Sequence, residues 1–221
     1  MIIAIDGPAG AGKSTIAKIL ADRLGFFYVD TGAMYRALTL KILNCGVGFS
    51  SPKKLVEITK NTKIKLIEHK NAKLCIFLDD QDVSVEIRNP AVTKQVFRIA
   101  RIPQIRQIMV EWQRAYADES DIVMEGRDIG TEVFPETKNK FYLDASADVR
   151  AKRRLKELKE KKIDVSYKEI LRQIQERDDK DKSRACGPLK QAEDAIYLDT
   201  SNLTIHQVIE KIISYLPKEV K

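Results

Sequence analysis

Short apolar runs alternate along the chain with stretches whose apolar residues recur at helical spacing. Ile2-Ile3-Ala4-Ile5 is the first run, and Ile16, Ile19, Leu20 and Leu24 then share one helix face. Phe26 to Val29 predicts a second strand, and a helix is expected from about Ala33 to Asn44, stopped by Gly46. Ser51-Pro52 opens a short helix with Leu55, Val56 and Ile58 on its apolar side. The texture then changes. Ile64, Leu66, Leu74, Ile76 and Leu78 alternate with polar residues around a turn near residues 69–72, an antiparallel hairpin expected to continue through Val83 to Ile87. Asn89-Pro90 and Pro103 open two more helices, the second with Ile105, Ile108, Met109, Trp112 and Tyr116 as its buried stripe. Arg106 and Gln113 lie beside that stripe.

Asp121–Glu125, Lys140–Asp144 and Ala195–Asp199 predict three further strands, and Ser201 or Asn202 leads into a closing helix from Ile205 to Leu216. Helices between strands imply a parallel sheet. The expected fold is therefore α/β: a P-loop parallel sheet flanked by helices, with a small antiparallel-sheet insert and a helical lid. One unit is expected, with its core in residues 1–50, 119–148 and 190–221, an insert over about 51–118 and the lid over about 149–189.

Candidate chemistry begins at the end of the first strand. Gly7-Pro8-Ala9-Gly10-Ala11-Gly12-Lys13-Ser14-Thr15 has the spacing of a phosphate-cradling loop between strand and helix. Its glycines allow backbone N–H groups to converge on phosphate oxygens, and the helix N-terminus adds positive dipole. Lys13 supplies a point charge, and the Ser14 hydroxyl is the expected Mg²⁺ ligand. Arg36 sits early in a helix, where a cation opposes the dipole, so it is expected to face an anion. Arg127 and Asp128 lie between two glycines just past a strand's carboxyl end, where ligands collect in open parallel sheets.

The lid segment has its own pattern. Arg150, Arg153 and Arg154 share one helix face, and Ser166 with Glu169 reads as a capping box for the next helix. On that helix the apolar face of Ile170 and Ile174 continues as Arg177, Asp181 and Arg184. Inward charges either pair with one another or enclose a polar ligand.

Composition narrows the class. The 221 residues are 43% hydrophobic and 32% charged, with net charge +7. Residues 150–184 hold fourteen Lys and Arg against eight Asp and Glu, so one segment carries most of the excess. The three isolated cysteines indicate neither a disulfide framework nor a zinc site. Asp79-Asp80-Gln81-Asp82 reads as a solvated turn. No run approaches membrane-spanning length, and the first apolar run is too short for a signal peptide. Cytoplasmic location, a monomer and small-molecule nucleotides as partners are expected, without membrane or nucleic acid. Two rivals stay open: a P-loop kinase for another nucleotide or small acceptor, and a nucleotide-controlled RNA-binding protein using the basic segment.

Several motifs occur in order: Ile5 to Ser14, Asp30-Thr31-Gly32-Ala33-Met34-Tyr35-Arg36, Asp82 to Arg88, Gly126-Arg127-Asp128-Ile129-Gly130-Thr131 with Val133-Phe134-Pro135, and Glu176-Arg177-Asp178-Asp179-Lys180-Asp181-Lys182-Ser183-Arg184. In these the chain resembles bacterial cytidylate (CMP) kinases of the P-loop nucleoside monophosphate kinase group over nearly its full length. The resemblance implies phosphoryl transfer from ATP to CMP or dCMP. It implies that Gly7 to Thr15 hold ATP phosphates and that Thr31, Tyr35, Arg36 and Arg127 surround the acceptor. Arg106 and Asp128 would read cytosine, Arg177 and Asp181 the sugar, and Arg184 a phosphate, with Arg150, Arg153 and Arg154 reaching the donor. The chain departs from the pattern at Val85, where glycine is common, and at Phe97, where a base-binding serine is common. Base selectivity then rests more on Asp128 and Arg106.

Overall fold

The computed structural model describes residues 1–69, 73–160 and 162–218. Its centre is a parallel sheet of β1 (Ile2–Asp6), β2 (Phe27–Asp30), β6 (Ile122–Glu125), β7 (Asn139–Asp144) and β8 (Ile196–Asp199), in the order β2-β6-β1-β7-β8. β1 lies in the middle, with Ile5 opposite Glu125 on one side and Phe141 on the other. Residue alternation sends side chains to two faces. Ile3, Ile5, Tyr28, Val123, Phe141 and Leu143 pack under α1 (Lys13–Leu24) and α8 (Ile205–Tyr215). Ala4, Val29, Ile122 and Met124 face α2 (Thr31–Asn44) and α5 (Pro103–Glu119).

A second sheet is built from β3 (Ile64–His69), β4 (Lys73–Leu78) and the short β5 (Gln81–Asp82), all antiparallel. Most of the turn expected near residues 69–72 lies outside the described residues. The small sheet shares the larger sheet's core. Leu66, Ile76 and Leu78 join the cluster of Val29, Met34 and Leu38, and Tyr116 receives the Leu66 amide on its hydroxyl at 2.9 Å while stacking on Phe27.

The strand expected to run through Val83 to Ile87 is not formed. β5 ends at Asp82, whose Oδ1 accepts the Ser84 amide at 2.9 Å, and the Ser84 hydroxyl takes the Ile76 amide at 2.9 Å. The Val83 amide still donates to the Ile76 carbonyl at 2.8 Å, and beyond it side chains replace the ladder. A 3₁₀ turn over Glu86–Arg88 follows, burying Ile87 and leaving Val85 exposed, before α4 (Pro90–Ala100). α3 (Pro52–Lys60) completes this part.

Two helix starts also differ from expectation. Asp30 caps α2 by accepting the Ala33 amide at 2.7 Å, so the helix begins at Thr31. Thr204, with Gln207, forms a full capping box for α8, rather than Ser201 or Asn202 starting it. Beyond the core, α6 (Ala147–Glu160) and α7 (Tyr167–Lys182) make a helical hairpin with its own small cluster of Ala151, Ile170 and Ile174. Ser166 caps α7, but the expected box is only half made. The Glu169 carboxylate accepts from Arg172 and Gln173 instead of reaching back to the cap.

Candidate active site

Each strand of the parallel sheet ends in a carboxylate at the same edge: Asp6, Asp30, Glu125, Asp144 and Asp199. These carboxylates fix the turns that follow. Asp144 accepts the Ala145 amide and Asp199 the Ser201 amide, each at 2.8 Å. Glu125 accepts from the Tyr28 hydroxyl at 3.0 Å, while its carbonyl accepts from Thr31 Oγ1 at 2.7 Å. Asp6 accepts the Ile129 and Gly130 amides at 2.9 and 2.8 Å, tying the end of β1 to the loop after β6. Burial pushes the Asp6 carboxyl up to about 7, even with two amides donating to it.

The loop from Gly7 to Gly12 wraps the open N-terminus of α1. Gly7 has φ 146°, and a side chain there would run into the Leu143 carbonyl of β7. Gly10 and Gly12 also take left-handed φ values. No side chain caps α1 and no acid stands in its first turn, so its amides and dipole are free to receive an anion. Lys13 is buried and donates to the Pro8 carbonyl at 2.8 Å, which lays its ammonium across the loop. Burial, then repulsion from Arg127, pulls that ammonium down to about 7. Pro8 is buried, Ala9 half-buried and Ala11 buried, whereas Ser14 and Thr15 are exposed at the loop's rim.

Across the sheet edge lies a charged wall. Arg106 of α5 forms a buried ion pair with Asp128, donates to the Ala100 carbonyl at 3.1 Å, and stands 5.9 Å from the centre of the buried Tyr35 ring. Burial raises the Asp128 carboxyl above the usual range despite Arg106. Asp128 opens a π-helical turn, Ile129–Val133. Arg127 donates through Nε to Asp181 at 2.9 Å, joining the β6 loop to α7. Burial opposes ionisation of Asp181, but Arg127 and Arg184 outweigh it and hold the carboxyl low. Arg184 lies 3.4 Å from Asp181. Arg177 is solvent-accessible and feels the like charges of Arg127 and Arg36.

Arg36 was to face an anion; here Nη2 meets Asp30 at 3.3 Å. The stripe Arg177, Asp181, Arg184 was to pair internally or enclose a ligand; Asp181 is indeed paired, mainly to Arg127 from another element. Polar capacity is nonetheless left over. Arg36 Nε, Thr131 Oγ1, Asp178 Oδ1 and Arg184 Nη2 are buried without a hydrogen bond. Such atoms need a polar partner, and a phosphate or sugar would supply it.

The three arginines of α6 play different structural parts. Arg150 is buried, with Asp178 at 2.7 Å, and donates to the carbonyls of Ala145 at 2.8 Å and Ala9 at 3.1 Å. It therefore pins α7 to the phosphate-loop backbone. Arg153 donates to the Thr200 carbonyl at 2.6 Å beyond β8, and Arg154 is exposed beside Glu157. Sequence reasoning singled out neither Asp178 nor Gly187. Asp178 stands four residues past Ile174, a spacing that marks it as inward-facing. Gly187 has φ 55°, and a side chain there would overlap both Arg106 and Asp128. Only the fold discloses that approach.

A family model for cytidylate kinase matches residues 3–218. The chain belongs to the cytidylate kinase family. A cytidylate kinase of Caldanaerobacter subterraneus subsp. tengcongensis is 46% identical over 219 residues, covering 99% of this chain and 96% of the relative. One of Desulforamulus reducens is 47% identical over 216 residues, covering 98% and 96%. The crystal structure of an uncharacterized protein from Eubacterium ventriosum matches at TM-score 0.52 and 15% identity, covering 97% of both chains, a likeness of fold alone. The fold is α/β, a five-stranded parallel sheet flanked by helices with a separate three-stranded antiparallel sheet. Among the described residues no helix is long and apolar enough to cross a membrane.

Proposed function

We propose that this chain transfers the γ-phosphoryl group of ATP to CMP or dCMP, giving ADP and CDP or dCDP. The observation that carries the reading is the arrangement of the sheet edge. A phosphate loop with an uncapped helix N-terminus opens beside a buried Arg106–Asp128 pair that is suited to a base bearing both acceptors and an exocyclic amine.

Gly7 to Thr15 hold the donor phosphates, with Lys13 at the transferring group. Thr31, Tyr35, Arg36 and Arg127 surround the acceptor, and Arg184 reaches its phosphate. Arg177 and Asp181 hold its sugar. Arg106 donates to the cytosine carbonyl and ring nitrogen, and Asp128 accepts from the amine. The unpartnered Arg36 Nε, and Arg184 Nη2 with only Asp181 at 3.4 Å, support an anionic acceptor phosphate. Residues 149–189 act as a lid, 51–118 as the acceptor-binding insert, and the remainder as the core. Arg150, Arg153 and Arg154 serve the donor side, Arg150 by holding the loop.

The reaction needs no protein nucleophile. An acceptor phosphate oxygen bonds to the γ-phosphorus as the bond to the β–γ bridging oxygen breaks, and ADP leaves. The protein aligns the two nucleotides, neutralises charge and keeps water out. The exposed Ser14 hydroxyl at the loop rim fits Mg²⁺, an oxygen-seeking ion that keeps waters and phosphate oxygens as its other ligands. Mg²⁺, when bound, neutralises phosphate charge. The chain works in the cytoplasm, as a monomer, on small nucleotides rather than nucleic acid.

Phosphorus NMR of CMP with MgATP tests the reaction. CDP and ADP should appear in equal amounts, and EDTA should stop both. ADP without CDP would overturn the transfer.

The depressed Lys13 ammonium gives a second prediction. At pH 8 the free protein holds this lysine largely neutral, and phosphates raise its pKa again, so ATP binding takes up close to one proton. Calorimetric binding heats in two buffers of different ionisation enthalpy should differ accordingly. Buffer-independent heats would contradict the Lys13 assignment.

A further inference from the structure

Phe97 stands on α4 with 36% of its surface exposed. Its ring is not idle. Lys180 of α7 places Nζ 5.2 Å from the ring centre, and Arg98 lies 5.9 Å from it while also covering Phe49 at 5.6 Å. Among the described residues Lys180 forms no ion pair, so the aromatic face is its electrostatic partner. Both ends of the contact adjoin the site. Lys180 lies three residues after Arg177 and four before Arg184, near the face that carries the inward charges. Phe97 lies one turn before Ala100, whose carbonyl holds Arg106. The contact therefore ties the helix supporting the base-reading arginine to the helix bearing the sugar- and phosphate-side residues.

We propose that Phe97 and Lys180 form a latch that holds α7 against the acceptor-binding helices, which makes Phe97 a positioning residue for the acceptor. The proposal rests on the CMP-phosphorylating reading above. Where a serine would offer the base a single hydroxyl, Phe97 offers the lid a docking face. Acceptor affinity scales with the fraction of molecules in the competent arrangement, so a latch already closed in the free protein raises that affinity without touching the nucleotide.

The test uses the full chain with Phe97→Leu, Lys180→Met, the double variant and Phe97→Tyr. Amide hydrogen exchange of α7, read without nucleotide, should quicken about three- to fivefold in either single variant, the scale of an exposed cation–π contact. KM for CMP should rise by a similar factor, and by more than kcat falls. The double variant should be no worse than the worse single, because both changes remove one interaction. Phe97→Tyr, which keeps the ring face, should match the parent. Additive single effects, or unchanged exchange in either single variant, would overturn the latch. A parent chain that fails to phosphorylate CMP sinks the functional reading instead, while the exchange data still decide the contact.

Discussion

Lys13→Met lowers kcat/KM for the ATP-dependent reaction by about 10²–10³-fold, the loss seen when one preorganised donor to developing charge is removed. Methionine keeps the length and apolar stem of the side chain, so the helix and loop should persist. What disappears is an ammonium held inside the loop by the Pro8 carbonyl at 2.8 Å. Its position costs solvation, as the downward pull on its pKa shows. A lysine buried at that cost, next to Arg127, regains its full charge when negative charge stands in front of it, and on the proposed reading donor phosphates supply that charge. Steady-state kinetics with unchanged circular dichroism would check the result. A loss smaller than tenfold would mean that the loop backbone and Mg²⁺ carry the charge without Lys13.

Asp128→Ala has two large effects, and they are separable. On the proposed base reading it removes the carboxylate that accepts the cytosine amine, so KM for CMP rises about 10²-fold and the preference over UMP collapses, because uracil lacks that donor. It also leaves Arg106 buried without its partner, which destabilises the fold by about 3–5 kcal/mol. The ordering of the two effects is checkable. Thermal unfolding reads the second with no nucleotide present, and the CMP-to-UMP ratio of kcat/KM reads the first in whatever fraction stays folded. If the melting temperature falls while the ratio holds, Asp128 is a structural partner of Arg106 and another group reads the base.

Much of this site was legible before the fold was. The phosphate loop needs only glycines at set intervals between a strand and a helix, so its nine residues announce it. Arg127 and Asp128 stood out as charges between glycines at a strand's end, and the fold brings both to the sheet edge, each in an ion pair. The sheet itself followed from apolar runs ending in acids. What the pattern could not convey is which charge meets which. Arg127 and Asp181 are fifty-four positions apart and pair at 2.9 Å, and Asp6 reaches amides more than a hundred residues away. Long-range partners of this kind depend on how α7 is laid over the sheet, which no local spacing encodes. The strand lost beyond Asp82 has a different cause. Val83 and Val85 carry strand propensity, but two side-chain hydrogen bonds from Asp82 and Ser84 close the ladder first, and propensity is the weaker influence.

The same limit explains the three arginines of α6. Helical spacing correctly places Arg150 and Arg154 on nearby turns, yet one is buried and the other open to solvent. The difference is made by Asp178 on the neighbouring helix, which draws Arg150 inward.

The most direct measurement is ADP formation from MgATP with CMP, dCMP, UMP, AMP, GMP or no acceptor, compared as kcat/KM. The account predicts strong turnover with CMP and dCMP and at least tenfold less with every other arm. Preferred turnover of a purine nucleotide, or ADP formation that ignores the acceptor, would contradict it.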